Sequence, residues 1–184
     1  WPDVVVSIDD CSPREFVDLV SSGRVTFGVG TLETAIANVE EKVFFEDTLV
    51  AVARKEKFFS SKRPLSWKQL ASYPVIAVRP GYGVRRNIDR AADDANVKLH
   101  IAYEVSMLAT ALAMAACGLG VAIVPESVMV HSPYHDLLAR KLVAPVVTRN
   151  TAVIHPTGKP LSTAATEFIE LLIRSTNPRK SKHP

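Results

Sequence analysis

The chain predicts an α/β protein in which helices cover a mostly parallel sheet, and three observations carry that prediction. First, Glu104–Val128 (EVSMLATALAMAACGLGVAIVPESV) runs from small apolar residues, Met107–Cys117, through Gly118-Leu119-Gly120 into the apolar run Val121–Val124, stopped by Pro125. That order spells a helix, a glycine C-cap, a short buried strand and a proline stop. Second, the helix is apolar on almost every side, whereas a surface helix needs only one apolar stripe. It should therefore be covered twice, by its own sheet and by something else. Third, strand and helix signals alternate along the whole chain, the pattern of parallel strands joined by right-handed crossovers.

The elements follow in order. Val4–Ile8 is β-branched and bounded by polar residues, which predicts a strand. Ser12 can then cap a helix, with Pro13 at its first position and Glu15 completing a capping box. Phe16, Val17, Leu19 and Val20 form its apolar stripe, ended near Ser22-Gly23, and Val25–Val29 is the next strand. Val43–Phe45 and Thr48–Ala53 read as extended, residues 54–64 as a basic loop and Ser66–Leu70 as a short helix. Pro74–Val78 is a strand, followed by the turn Arg79–Gly83 and a helix whose face carries Val84, Ile88, Ala91 and Ala95. Leu99–Tyr103, Leu142–Val147 and Ala152–His155 read as extended. A last helix spans Ser162–Arg174, with Ala165, Phe168 and Leu172 inward and Glu170 with Arg174 as an i,i+4 pair.

Composition narrows the function classes. The chain has 184 residues, 47% of them hydrophobic, enough for one globular unit or two small lobes. A net charge of +3 does not mark a nucleic-acid binder, and part of the excess lies in Pro178–Pro184, a solvated basic tail. Cys11 and Cys117 have no CxxC partner, which predicts a reduced, cytoplasmic setting. No run of about 18 apolar residues suggests a membrane span, and the opening residues WPDVVVSID carry no secretory signal. Gly81-Tyr82-Gly83 begins like a dinucleotide fingerprint, but Arg86 stands where the third glycine belongs. His131 and His135 are separated by Pro133 and have no third ligand at metal spacing, and Asp9-Asp10 reads as ordinary chemistry ahead of a helix. No cofactor, metal or catalytic set is expected.

What remains is polar turns at the carboxyl ends of strands, where ligands bind in open α/β sheets. Cys11-Ser12-Pro13, Arg79–Gly83 and Val105-Ser106 each open a helix, and helix starts favour a carboxylate or similar anion. Ser12 and Ser106 could donate hydroxyl hydrogen bonds, Gly81 and Gly83 would let backbone amides approach, and Tyr82 would supply a wall with a polar tip. The alternative is that each serine is only an N-cap and each glycine only shapes its turn.

The order of DDCSPREFVDLVSSGRVTFGVGT, FFEDTLVAVARKEKFF, PVIAVRPGYG and EVSMLATALAMAACGLGVAIVP resembles the effector-binding domain of LysR-type transcriptional regulators. The pattern A-x-G-x-G-[VI]-[AS] followed by Val-Pro is its most specific element, and PLSTAATEFIELL matches the family's final helix. The resemblance covers roughly Val4 to Leu172. It implies two Rossmann-like lobes joined by two crossing strands, like a type-II periplasmic binding protein, with an effector cleft between them. Lobe I would take residues 1–49 and 147–176, lobe II residues 53–146, and residues 177–184 would be a disordered tail. Carried over by position, the effector contacts are Ser12, Pro13, Thr31, Pro80, Gly81, Tyr82 and Ser106. The resemblance also implies a side-by-side homodimer, or a tetramer in the full-length protein, with Met107, Leu108, Ala111, Leu112 and Ala115 at the interface.

Departures from the family pattern carry expectations of their own. The winged helix-turn-helix, the linker helix and the first strand and helix of lobe I have no counterpart here. The chain therefore reads as a fragment that reaches DNA only through an absent N-terminal domain. Lobe I should then expose apolar surface unless a partner covers it. Thr26 stands where the family has Asp, and the two cysteines do not match the close pair of peroxide-sensing relatives. The expected function is effector sensing by a regulator, with a small carboxylate as ligand, no chemistry and no membrane. A solute-binding protein or an enzyme on the same two-lobed fold is the alternative.

Overall fold

The apolar runs within Thr48–Ala53, Pro74–Val78 and Val121–Val124 come together in one sheet that is buried on both faces. The structure, a computed structural model, describes residues 3–32, 36–56 and 59–176. In chain order the elements are α1 (Pro13–Ser21), β1 (Gly28–Gly30), β2 (Val39–Arg54), β3 (Leu65–Ser66), α2 (Trp67–Leu70), β4 (Val75–Val78), α3 (Gly83–Asp94) and β5 (Ile101–Val105). They continue with α4 (Leu108–Ala116), β6 (Val121–Pro125), α5 (Glu126–Val130), β7 (Leu137–Val143), β8 (Thr148–Pro156) and α6 (Thr163–Thr176). The chain divides into two compact units, Trp1–Glu46 with Asn150–Pro184, and Asp47–Arg149.

In the second unit the order is β2-β6-β4-β5, with β4 parallel to both β5 and β6, and β2 antiparallel to β6. β7 flanks β2 on its other side, antiparallel, and pairs in parallel with β3. The strand period of two divides the core cleanly. Leu49, Ala51, Ala53, Val75, Ala77, Val121 and Ile123 face one cluster with Trp67, Leu70, Val84, Ile88 and Ala91 of α2 and α3. Val50, Val52, Ile76, Ala122 and Val124 face a second cluster with Ala111, Leu112 and Ala115 of α4. Helices on both faces explain why these strands read as unbroken apolar runs rather than alternating ones.

The first unit has a smaller core. β1 pairs antiparallel with β8, and β8 lies beside β2. Val20, Ala152 and Ile154 are its buried centre, with Phe16, Val25, Leu32 and Val39 packed around them. The Phe16 ring lies so close over β1 that a Cβ at Gly28 would meet its Cε2 at 2.5 Å.

Four expectations are corrected. Val4–Ile8 forms no strand: residues 4–12 have no regular secondary structure, and Val5 and Ile8 are 93% and 84% exposed. β-branched residues favour extension, but a strand also needs a neighbour to bond. The sheet is mixed rather than mostly parallel. The strand sought at Leu142–Val147 lies earlier, as β7, and ends at Val143; it accommodates Arg140 because that side chain is buried with Nε donating to Arg63 O at 2.8 Å and its guanidinium 5.2 Å from the Phe59 ring centre. Phe168 is 41% exposed, its ring 6.0 Å from that of Phe27, and Ile169 is the buried residue of α6. The tail expected at 177–184 lies outside the described residues. Among the described residues no helix is long and apolar enough to cross a membrane.

Candidate functional site

β4 and β5 run in parallel to a common end, Val78 opposite Val105, and Arg79 N donates to Val105 O at 2.9 Å. The turn Arg79–Tyr82 and the residues Ser106-Met107 are therefore neighbours, about one strand spacing (~4.8 Å) apart. Each leads straight into a helix. Tyr82 is the N-cap of α3 and Met107 the N-cap of α4, and neither start has a side-chain cap. The first amides with a carbonyl partner one turn back are Arg86 N, to Tyr82 O, and Ala111 N, to Met107 O. The amides of Gly83, Val84 and Arg85, and of Leu108, Ala109 and Thr110, have no helical carbonyl to bond. Two positive helix ends thus open side by side at the carboxyl end of the sheet, an arrangement that suits an anion.

The turn itself is built by Pro80 and Gly81. Proline fixes the first central position, and Gly81 takes the second with φ +94, where an added Cβ would meet nothing within 4 Å. Tyr82 packs on the core cluster beneath α3, and Ser106 is exposed. Arg85 is committed elsewhere: Nε donates to Asp89 at 2.9 Å, and Nη1 to Val78 O at 3.3 Å and to Glu104. Burial works against its charge, but the two carboxylates outweigh burial and hold the guanidinium above its ordinary value. The helix ends, rather than Arg85, are what an anion would meet.

Three expected contacts belong to the first unit. Ser12 closes the capping box: Oγ accepts from Glu15 N at 3.4 Å and donates to Glu15 Oε2 at 2.7 Å, while Glu15 Oε2 also accepts from Ser12 N at 3.0 Å. Pro13 holds the first position of α1, and Thr31 Oγ1 donates to Asn150 O at 2.6 Å. The bonds from Ser12 lower the Glu15 pKa. A depressed carboxyl pKa adds stability that is present above its unfolded value and is lost as pH falls through the folded one. Ser12→Ala is expected to cost about 1 kcal/mol, measured by urea unfolding at neutral pH, with a smaller difference from the parent chain under acid conditions. Burial first, then Glu15, Asp10 and Asp9, push the Cys11 thiol up and away from thiolate.

On α4 the five residues sought at a dimer interface divide. Ala111, Leu112 and Ala115 are buried against the unit's own sheet, and Leu108 is half-buried between the two clusters. Met107 is 52% exposed, and the outward side of the helix carries Ala109 and Thr110.

The sequence did not point to the polar group at the end of β6. Asp47, only 6% exposed, accepts from Thr48 N at 2.8 Å and from Ser127 Oγ at 2.5 Å. Thr48 Oγ1 donates to Glu126 Oε2 at 3.2 Å. The one available signal was Pro125-Glu126, a common opening of a helix. No group of three or more His, Cys, Asp or Glu is placed to hold a metal ion among the described residues.

Residues 1–177 match the family described as LysR substrate binding domain. The chain is 28% identical over 173 residues to the uncharacterised HTH-type transcriptional regulator YbhD of Escherichia coli K12, covering 94% of this chain and 55% of that protein. It spans about half the length of the curated relatives it matches. Among solved structures, the CcmR regulatory domain of Synechocystis PCC6803 in complex with 2-PG superposes with a TM-score of 0.83 at 17% identity, covering 97% of this chain and 86% of that one. The effector-binding domain of QuiR in complex with shikimate superposes at 0.75 and 15% identity, over 91% and 79%.

Proposed function

The chain belongs to the LysR substrate-binding domain family, and from that premise we propose that it senses a small anionic metabolite for a DNA-binding transcriptional regulator. It holds the ligand without transforming it. The observation that carries the anionic preference is the pair of helix starts without side-chain caps at adjacent parallel strand ends, Tyr82-Gly83 and Met107-Leu108. Pro80, Gly81, Tyr82 and Ser106 are the proposed contacts there. On the first unit, Ser12, Pro13 and Thr31 are proposed contacts through the family resemblance alone; Ser12 and Thr31 already donate internally, so they would accept from a hydroxyl or amine of the ligand rather than bind its anionic group. A carboxylate fits two rows of amides, and shikimate, held by QuiR, is a carboxylate.

The relatives are transcriptional regulators, which supports a binding role over an enzymatic one. In the whole protein we place DNA contact in a separate N-terminal domain, the working form as a cytoplasmic homodimer and the outward side of α4, beginning at Met107, at its interface. A ligand alters such a dimer only as far as it binds one arrangement better than another. Thermal unfolding against a panel of organic acids, amino acids and aromatic acids tests the reading. An effector at 100 times its Kd adds about 2.7 kcal/mol; a panel that leaves the unfolding temperature unchanged counts against it.

A further inference from the structure

Asp47 and Arg149 are the residues at which the chain enters and leaves the second unit. We infer that Asp47 staples the incoming segment to that unit, where a backbone bond ties the outgoing one to it, so that the compliant stretches lie beyond this point, in Val43–Glu46 and at Asn150-Thr151. Independent bonds converge on this point. The Asp47 carboxylate accepts from Thr48 N at 2.8 Å and from the hydroxyl and amide of Ser127, at 2.5 and 3.4 Å. Thr48 Oγ1 donates to Glu126, and Leu49 N donates to Val147 O at 3.0 Å, tying the outgoing segment to the incoming one. Burial lowers the Arg149 pKa, and the nearby Asp47 charge works against that shift. A carboxylate this buried is retained only where such partners meet it.

β2 itself shows the contrast. Leu49–Ala53 is buried, and its centre Val50–Val52 pairs with both β6 and β7, whereas Glu40–Val43 and Glu46 of the same strand are exposed. Amides bonded on both sides within a large core open only with that unit, while those of the exposed half-strand, whose neighbour β8 belongs to the smaller core of the first unit, open more readily. The staple therefore places the soft part of the strand on the first unit's side of Asp47. This inference is independent of the ligand reading, because it concerns the free chain.

Site-resolved amide exchange on the 184-residue chain, without added ligand, tests it. In the parent chain Leu49–Ala53 should exchange ~100-fold or more slowly than Glu40–Glu46. Asp47→Asn, which keeps an acceptor for Thr48 N but removes the charge, should speed exchange at Thr48, Leu49 and Ser127 by about 10-fold while Val75–Val78 stays unchanged. Ser127→Ala removes the hydroxyl bond alone and should act at the same amides, so it carries the test where Asp47→Asn folds poorly. Equal protection in the two halves of β2, or unchanged exchange at Thr48 and Leu49 in both variants, would overturn the staple.

Discussion

Gly120→Ala is expected to destabilise the second unit by about 3 kcal/mol, at the upper end for overpacking a closed site. A Cβ at this position would stand 2.5 Å from Pro74 O and 3.5 Å from Ile76 Cγ1. Pro74 O is a backbone atom that accepts from Val121 N at 2.9 Å, so it has no flexible end to swing away. Relief requires β6 to move from β4, and Val75↔Val121 is the register that centres the sheet. A loss of that size lowers Tm by roughly 12–24 °C in a unit of about 100 residues, and Trp67, wholly buried in the same unit, reports it by fluorescence. Gly118 is the control. It has φ +77, its amide bonds Ala115 O, and an added Cβ meets only Glu56 Oε1 at 3.7 Å. Gly118→Ala should cost about 1–2 kcal/mol, the strain of a left-handed residue without a clash. Equal losses for the two glycines would show that backbone freedom, not space, governs the motif.

The second large effect falls on ligand response rather than on stability. Gly83 is the first residue of α3, and Tyr82 before it has φ −92 and ψ 140. That conformation suits a residue preceding proline, and proline suits a first helical position. Gly83→Pro should therefore leave the helix intact while deleting one amide from the proposed anion site. The loss of one charge-assisted hydrogen bond, about 1.5–3 kcal/mol, weakens binding by roughly 10- to 150-fold. Ser106→Ala should remove most of the thermal shift given by the same compound and leave the ligand-free unfolding temperature within about 1 °C, as an exposed residue away from the core. If both variants respond to the compound as the parent chain does, the anion is held elsewhere.

How much of this was legible in the sequence depends on where each partner lies. The helix–Gly–strand–Pro run at Met107–Pro125 and the capping box Ser12–Glu15 are written in contiguous residues, and both stand in the structure as read. The face Val84, Ile88 and Ala91 is likewise a local period, and it is buried. β7 was not legible, because Arg140-Lys141 looks like solvated charge until the carbonyls of Arg63 and Pro64, far back in the chain, take up the guanidinium. Val4–Ile8 failed for the complementary reason: its residues favour a strand, but extension persists as sheet only where a neighbour pairs with it. At the candidate site, the turn at Pro80-Gly81 and the serine at Ser106 could be named from strand ends alone. That they lie side by side is set by the β4–β5 register, and the Asp47–Ser127 bond spans 80 residues; neither leaves a local trace.

Recognition without turnover is tested most directly by titrating the compound that raises the unfolding temperature most into the chain, in a calorimeter, and then recovering that compound. A single saturable site that weakens in Gly83→Pro, with the compound returned chemically unchanged, is the expected result. Consumption of the compound, or binding indifferent to Gly83→Pro and Ser106→Ala alike, would contradict a sensing site at the paired helix starts of α3 and α4.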